Sequence, residues 1–242
     1  MSPTGLMPGP LIVRPDFTRA IDLPGAGPCP RPVDIDRAVT GFEQLVALRV
    51  YSFAQGVTID GEAEDDEVFI VAMRGETSIA ISRDGIAVAA VHLRQGKGSR
   101  AVYMPPHAAY RLTAVTDCDI AYARAQPTGT TFAAACDFAP QEGALDIAGH
   151  ATGMDLALFA IHAGNDSGLD RHGAGAERIM HLRADGAITV TLGGETLQDW
   201  GSAAIGKDDR PTMTVQAGSG EILLVTAALG RGSASRGPIE TA

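Results

Sequence analysis

The chain has 242 residues, 45% of them hydrophobic and 20% charged, with a formal net charge of −10. A chain of that length buries about 70% of its extended-chain surface and needs no covalent staples. The acidic balance, with no basic stripe, excludes the counterion-releasing contacts that a nucleic-acid partner requires.

The N-terminus, MSPTGLMPGPLIVRP, has prolines where a secretion signal needs an apolar core. No apolar run reaches the roughly 18 residues of a spanning helix. Three cysteines, Cys29, Cys118 and Cys136, form an odd set without CxxC spacing. They point to a reducing compartment, so a cytoplasmic protein without membrane contact is expected.

Residues 1–39 are rich in Pro and Gly and read as an extended arm that lies over the body or joins a partner's sheet. The second option makes a homo-oligomer one expectation. Residues 40–126 carry short, β-branched or alternating runs (EQLVALRVYSF, VFIVAMRG, TSIAISR, IAVAAVHLR, YRLTAV, DIAYARA) separated by Gly or Asp-Gly. Residues 127–153, rich in Ala, Gly and Pro, read as a connection. Strand-like runs resume over 154–230 (LALFAIHA, RIMHLR, AITVTL, TMTVQA, EILLVTAA), and 231–242 form a small, polar tail expected to be flexible.

The two strand-rich segments are related. Asp60, Glu62 and Glu67 recur 110 positions later as Asp170, His172 and Glu177, each set leading into a strand. The next hairpins are expected to turn at Asp84-Gly85 and Gly193-Gly194. A second match, VYMPPHAAYRLTA with MTVQAGSGEILLV, sets Tyr110 opposite Glu221. The expected fold is all-β, two tandem jelly-roll barrels behind an N-terminal arm. Period two puts Glu67, Phe69, Val71 and Met73 on one strand face, and Glu177, Ile179, His181 and Arg183 on its counterpart. If those faces turn inward, the carboxylates line a cavity, and Glu67 can bond Tyr110 across the barrel.

The segments TGFEQLVALRVYSFAQGVTI, EVFIVAMRG and RAVYMPPHAAYRLTAVTDCDIAYARA resemble the 5-deoxy-glucuronate isomerases of inositol catabolism. Those are bicupins related to the 5-keto-4-deoxyuronate isomerases. The resemblance implies a double-stranded β-helix in each half and a metal held in the C-terminal one. Laid on this chain, the ligand positions fall at Asp170, His172, Glu177 and Glu221, where only His172 and Glu177 keep the expected residue types.

Such a set, richer in oxygen than in imidazole, suits Mn, Fe or Mg better than Zn. The implied reaction is aldose–ketose interconversion of a small-molecule sugar acid. It needs a Lewis acid on oxygen and a base at carbon, for which Glu177 and Glu221 are the catalytic candidates. Arg171, Arg178 and Arg183 are the candidates for docking the substrate carboxylate. The altered ligand set motivates an alternative: a metal-free bicupin that binds sugar acids as a binding or regulatory module.

Overall fold

The computed structural model describes residues 9–96, 98–132, 134–142, 144–164 and 175–228. The expected flexible tail at 231–242 lies outside them. The architecture is all-β and every strand pairing is antiparallel.

In the N-terminal half a six-stranded sheet runs, edge to edge, Val33–Asp36, Leu45–Phe53, Cys118–Ala125, Glu67–Arg74, Ala101–Met104 and Cys136–Phe138. A four-stranded sheet of Thr58–Glu62, Ala108–Ala114, Glu76–Arg83 and Ile86–Arg94 covers one of its faces. In the C-terminal half the six strands are Leu11–Val13, Ser202–Ile205, Arg178–Arg183, Ser219–Ala227, Met154–His162 and Leu145–Ile147. Three strands cover them: Glu195–Leu197, Thr189–Leu192 and Met213–Ala217.

Burial explains the strand sequences. Each half has its own apolar interior, and a third core joins Leu48, Val50, Phe69, Val71 and Met73 to Leu156, Leu158, Ile179, Leu223 and Val225. The two six-stranded sheets therefore meet back to back and are buried on both faces. Glu67–Arg74 (EVFIVAMR) reads as an unbroken apolar run for that reason, with every residue buried except Arg74. Glu76–Arg83 (ETSIAISR) has one wet face and alternates.

Both expected hairpins form. Asp84 and Gly85 have φ of 51° and 76°, Gly193 and Gly194 of 58° and 91°. These are the left-handed pairs that a two-residue turn between right-twisted strands requires.

The stretch read as an arm contributes strands to this chain's own two halves. Val33–Asp36 extends the N-terminal sheet, and Leu11–Val13 pairs with Ser202–Ile205 of the C-terminal one. The connection also supplies an edge strand to each sheet, Cys136–Phe138 and Leu145–Ile147. Pro and Gly are tolerated there because edge strands leave one row of backbone groups unpaired.

Candidate functional site

Of the residues singled out in the C-terminal half, Asp170, Arg171 and His172 lie outside the described residues. Glu177, 3% exposed, sits at the entrance to strand Arg178–Arg183. Its carboxylate accepts three backbone N–H groups of the other half: Glu43 at 2.7 Å, Gln44 at 2.9 Å and Leu45 at 3.0 Å. Glu221 pairs in register with Arg183 and accepts a two-pronged bond from the Arg100 guanidinium, at 2.9 and 2.5 Å.

These positions correct the expected joint role of Glu177 and Glu221. Arg183, the partner of Glu221, is six positions along the strand from Glu177, or about 20 Å. Both carboxylates share a strand face with residues of the central core, Ile179 on one strand and Leu223 and Val225 on the other. They turn to the seam between the halves and away from the C-terminal interior, so they do not enter one coordination sphere.

The arginines divide. Arg183 reaches Asp119 of the other half at 3.1 Å, bonds Asp199 and lies 4.2 Å over the Trp200 ring. With Glu221 it lines a seam cavity of about 320 Å³. Arg178 is on the opposite face, with Met180 and Leu182 of the C-terminal interior. It is 1% exposed and donates to the Asp209 carbonyl at 3.0 Å.

Among the described residues no three His, Cys, Asp or Glu side chains are grouped to hold a metal. The oxygens of Glu177 and Glu221 are already taken by N–H donors. The donor set formed by the described residues does not fit a divalent ion. Buried His181 is neutral, because desolvation, with Arg183 adding to it, pushes its imidazole down to about 3, and no pair of other His, Cys, Asp or Glu side chains joins it among the described residues. Its Nδ1 lies 2.9 Å from Ser202 Oγ.

In the N-terminal half the first repeat also resolves into separate roles. Asp60 is on the outer sheet face, pairing with Arg111 at 2.8 and 3.0 Å. Glu62, two positions on, shares that face. Glu67, fully buried, turns to the seam. It accepts the Tyr103 hydroxyl at 2.9 Å and the backbone N–H groups of Thr152 and Gly153 at 2.9 and 2.7 Å. The contact expected between Glu67 and Tyr110 does not form, because Tyr110 is on the other side of the sheet.

Tyr110 instead lines a cavity of about 170 Å³ at the mouth of the N-terminal sandwich, with Arg49, Tyr51, Tyr122 and Arg124. Three of the chain's four tyrosines are there. The Tyr110 ring lies against Gly61, where a Cβ would fall 2.3 Å from the phenol oxygen. Burial pushes Tyr110 up to about 12, and it holds Tyr122 well above the usual phenol range. Both are hydroxyl donors at neutral pH. Among the described residues, Tyr122 Oη and Arg124 Nε are buried without a hydrogen bond of ordinary geometry.

None of the residues of this cavity except Asp60, Glu62 and Tyr110 stood out in the sequence. The cavity's signal is Arg49-x-Tyr51 on one strand and Tyr122-x-Arg124 on the next, with Tyr122 opposite Arg49. Period two places all four on the inward face.

Two jelly-roll sandwiches in tandem, each built on a six-stranded sheet covered by a smaller one, define a bicupin. The chain belongs to the KduI/IolB family, which matches residues 31–153. No curated protein sequence matches it. Among solved structures it is similar to an IolB-like protein from Salmonella typhimurium LT2 (TM-score 0.60, 16% identity, covering 81% of this chain and 88% of that one). It is also similar to a putative glyoxylate-induced protein from Pseudomonas aeruginosa (0.66, 13%, 93% and 91%). A third is the bacterial pirin YhhW from Escherichia coli, solved in complex with nickel(II) (0.64, 12%, 89% and 98%). At these identities the likeness is one of fold.

Proposed function

We propose that the chain is a sugar isomerase interconverting the aldose and ketose forms of a sugar acid, the reaction class of 5-deoxy-glucuronate isomerase. Membership in the KduI/IolB family carries this reading. The reaction moves a proton between neighbouring carbons through an enediol, so it needs a base at carbon and a group polarising oxygen. We assign those roles to the C-terminal half, with Asp170 and His172 as the polar candidates. Arg178, which faces that interior, and Arg171 would receive the substrate carboxylate. Glu177 and Glu221 are left out, since both are bonded into the seam.

We place the activity in the cytoplasm, in keeping with three unpaired cysteines. No helix among the described residues is long and apolar enough to cross a membrane.

A second reading, a metal-free bicupin that binds sugar acids without turning them over, is favoured by the commitment of Glu177 and Glu221 to hydrogen bonds across the seam. Incubating the purified chain with 5-deoxy-glucuronate, alongside elemental analysis, separates the two. The isomerase reading expects turnover that falls more than about a hundredfold in His172→Ala, on the scale of losing a general acid–base group. Absence of turnover from a folded chain assayed with Mn, Fe, Mg or Zn added would leave the binding module.

A further inference from the structure

The cavity of the N-terminal sandwich takes no part in the reaction proposed above, yet it is built from polar side chains where a β-sandwich normally packs hydrocarbon. Ile59, Val68 and Leu23 form its apolar lining, and Tyr51, Tyr110 and Tyr122 bring three phenols to one point. Tyr122, 6% exposed, and Tyr51, 8% exposed, are held by aromatic contacts at 5.3 Å. Their hydroxyls therefore sit at fixed positions.

Buried polar atoms in native proteins almost always find partners. Here the Tyr122 hydroxyl has only the Tyr110 hydroxyl beside it, and among the described residues neither Tyr122 Oη nor Arg124 Nε has a hydrogen bond of ordinary geometry. At about 170 Å³ the space is below the roughly 300–1,000 Å³ of drug-sized sites, so its guest is small.

Charge narrows the guest further. Arg49 is paired with Asp34 at 3.2 Å, and Arg124 with Glu64 at 2.7 Å and Asp66 at 3.0 Å. Arg31, over the Tyr51 ring at 5.8 Å, donates to the Tyr51 hydroxyl at 3.4 Å and is paired with Asp34 at 2.8 Å. Arg31 and Arg49 share the one carboxylate of Asp34, and Asp60 and Glu62 also line the cavity, so its wall carries both signs and a simple anion gains little there. What the cavity offers is fixed hydroxyls, aromatic faces and residual guanidinium N–H groups. A compound carrying several hydroxyls on a compact carbon ring matches that set, since its C–H faces lie on phenol rings and its oxygens both donate and accept.

The geometry points to a second ligand site, in the N-terminal barrel, for a monosaccharide-sized polyhydroxylated compound recognised through Tyr51, Tyr110 and Tyr122. This site is independent of the isomerase assignment and survives its failure.

The full chain labelled with ¹³C at tyrosine Cζ gives four signals, and Tyr103, bonded to Glu67 in the seam, is the internal control. Glucose, glucuronate and acetate are titrated separately at constant ionic strength. The site predicts saturable shifts of the Tyr51, Tyr110 and Tyr122 signals with glucose and glucuronate alike, and an unmoved Tyr103. Tyr110→Phe and Tyr122→Phe, which remove one oxygen each, should weaken binding about tenfold, and His172→Ala should leave it unchanged. An unmoved Tyr103 signal in each variant shows that it is folded. The proposal is overturned if no cavity tyrosine shifts, if acetate shifts them as strongly as the sugars, if all four signals move together, or if His172→Ala abolishes the effect.

Discussion

Glu67 and Glu177 carry the first repeat of the sequence, and the charge of each is held by backbone N–H groups where a strand of the opposite half begins. Hydrogen bonds to a charged group contribute about 1.5–3 kcal/mol each. An amide in either place turns an NH₂ toward donors. Glu67→Gln and Glu177→Gln are each expected to lower unfolding free energy by about 2–4 kcal/mol, read from urea denaturation. Loss of activity in Glu177→Gln would therefore report on folding before it reported on chemistry.

His181 gives a pH signature. Its folded-state value of about 3 lies below the ordinary 6.5. The unfolded chain thus takes up a proton first, and stability falls as pH drops from about 6.5 toward 3, at up to about 1.4 kcal/mol per pH unit. His181→Gln should flatten that acid limb in denaturation curves taken between pH 7 and pH 4, with little change in the slope above pH 7. Neither role was legible in the sequence. EVFIVAMR and RIMHLR are buried on both sides, so their alternation has no wet phase to say which face looks inward.

Among elements, the hairpins were the most legible because their turns have a local cause. Asp-Gly and Gly-Gly reach positive φ at little cost, and strand partners then close on either side, Arg83 with Ile86 and Leu192 with Glu195. The second repeat match failed for a reason of length. Ile86–Arg94 has nine residues, whereas its counterpart Glu195–Leu197 has three. The shorter hairpin slides every later strand, so Met213–Ala217 corresponds to Ala108–Ala114 and Ser219–Ala227 to Cys118–Ala125. Glu221 is thereby the equivalent of Asp119, each opposite an arginine in register, and Tyr110 has no carboxylate counterpart.

Gly75, between the strands Glu67–Arg74 and Glu76–Arg83, has φ 70° and room for no side chain, since a Cβ would fall 2.2 Å from the Asp117 carbonyl oxygen. Gly75→Ala should cost more than the roughly 1 kcal/mol of an ordinary exposed substitution, by forcing strain and backbone movement together. A lowered thermal midpoint with near-native circular dichroism would register it.

At the level of the molecule, the seam decides how the halves behave. Its core includes Phe69, Met73, Tyr103, Leu156 and Leu223, and each such side chain is worth about 1.5–3 kcal/mol when buried. Arg183 and Asp119 close one end of it across the two halves. A fragment of residues 31–153, the span matched by the family, would expose its share of that surface. It is expected to aggregate or lack a cooperative transition, while the whole chain melts in a single step followed by calorimetry. Independent, reversible melting of the fragment would contradict a shared core. The internal repeat and the Gly-punctuated runs foretold two similar units and short strands. It did not foretell that the units are welded, because a seam core and a barrel core draw on the same residue types.

The crossed carboxylates have a consequence for ancestry. An exchange in which Glu67 of one unit holds the lead-in of the other, while Glu177 returns the favour, is the signature of an isologous contact, normally made between identical subunits about a dyad. This polypeptide carries that dyad inside itself, as a pair of single-barrel molecules would after their genes were joined head to tail. Once tethered, the two copies were free to diverge, and one of them carries three tyrosines at its mouth.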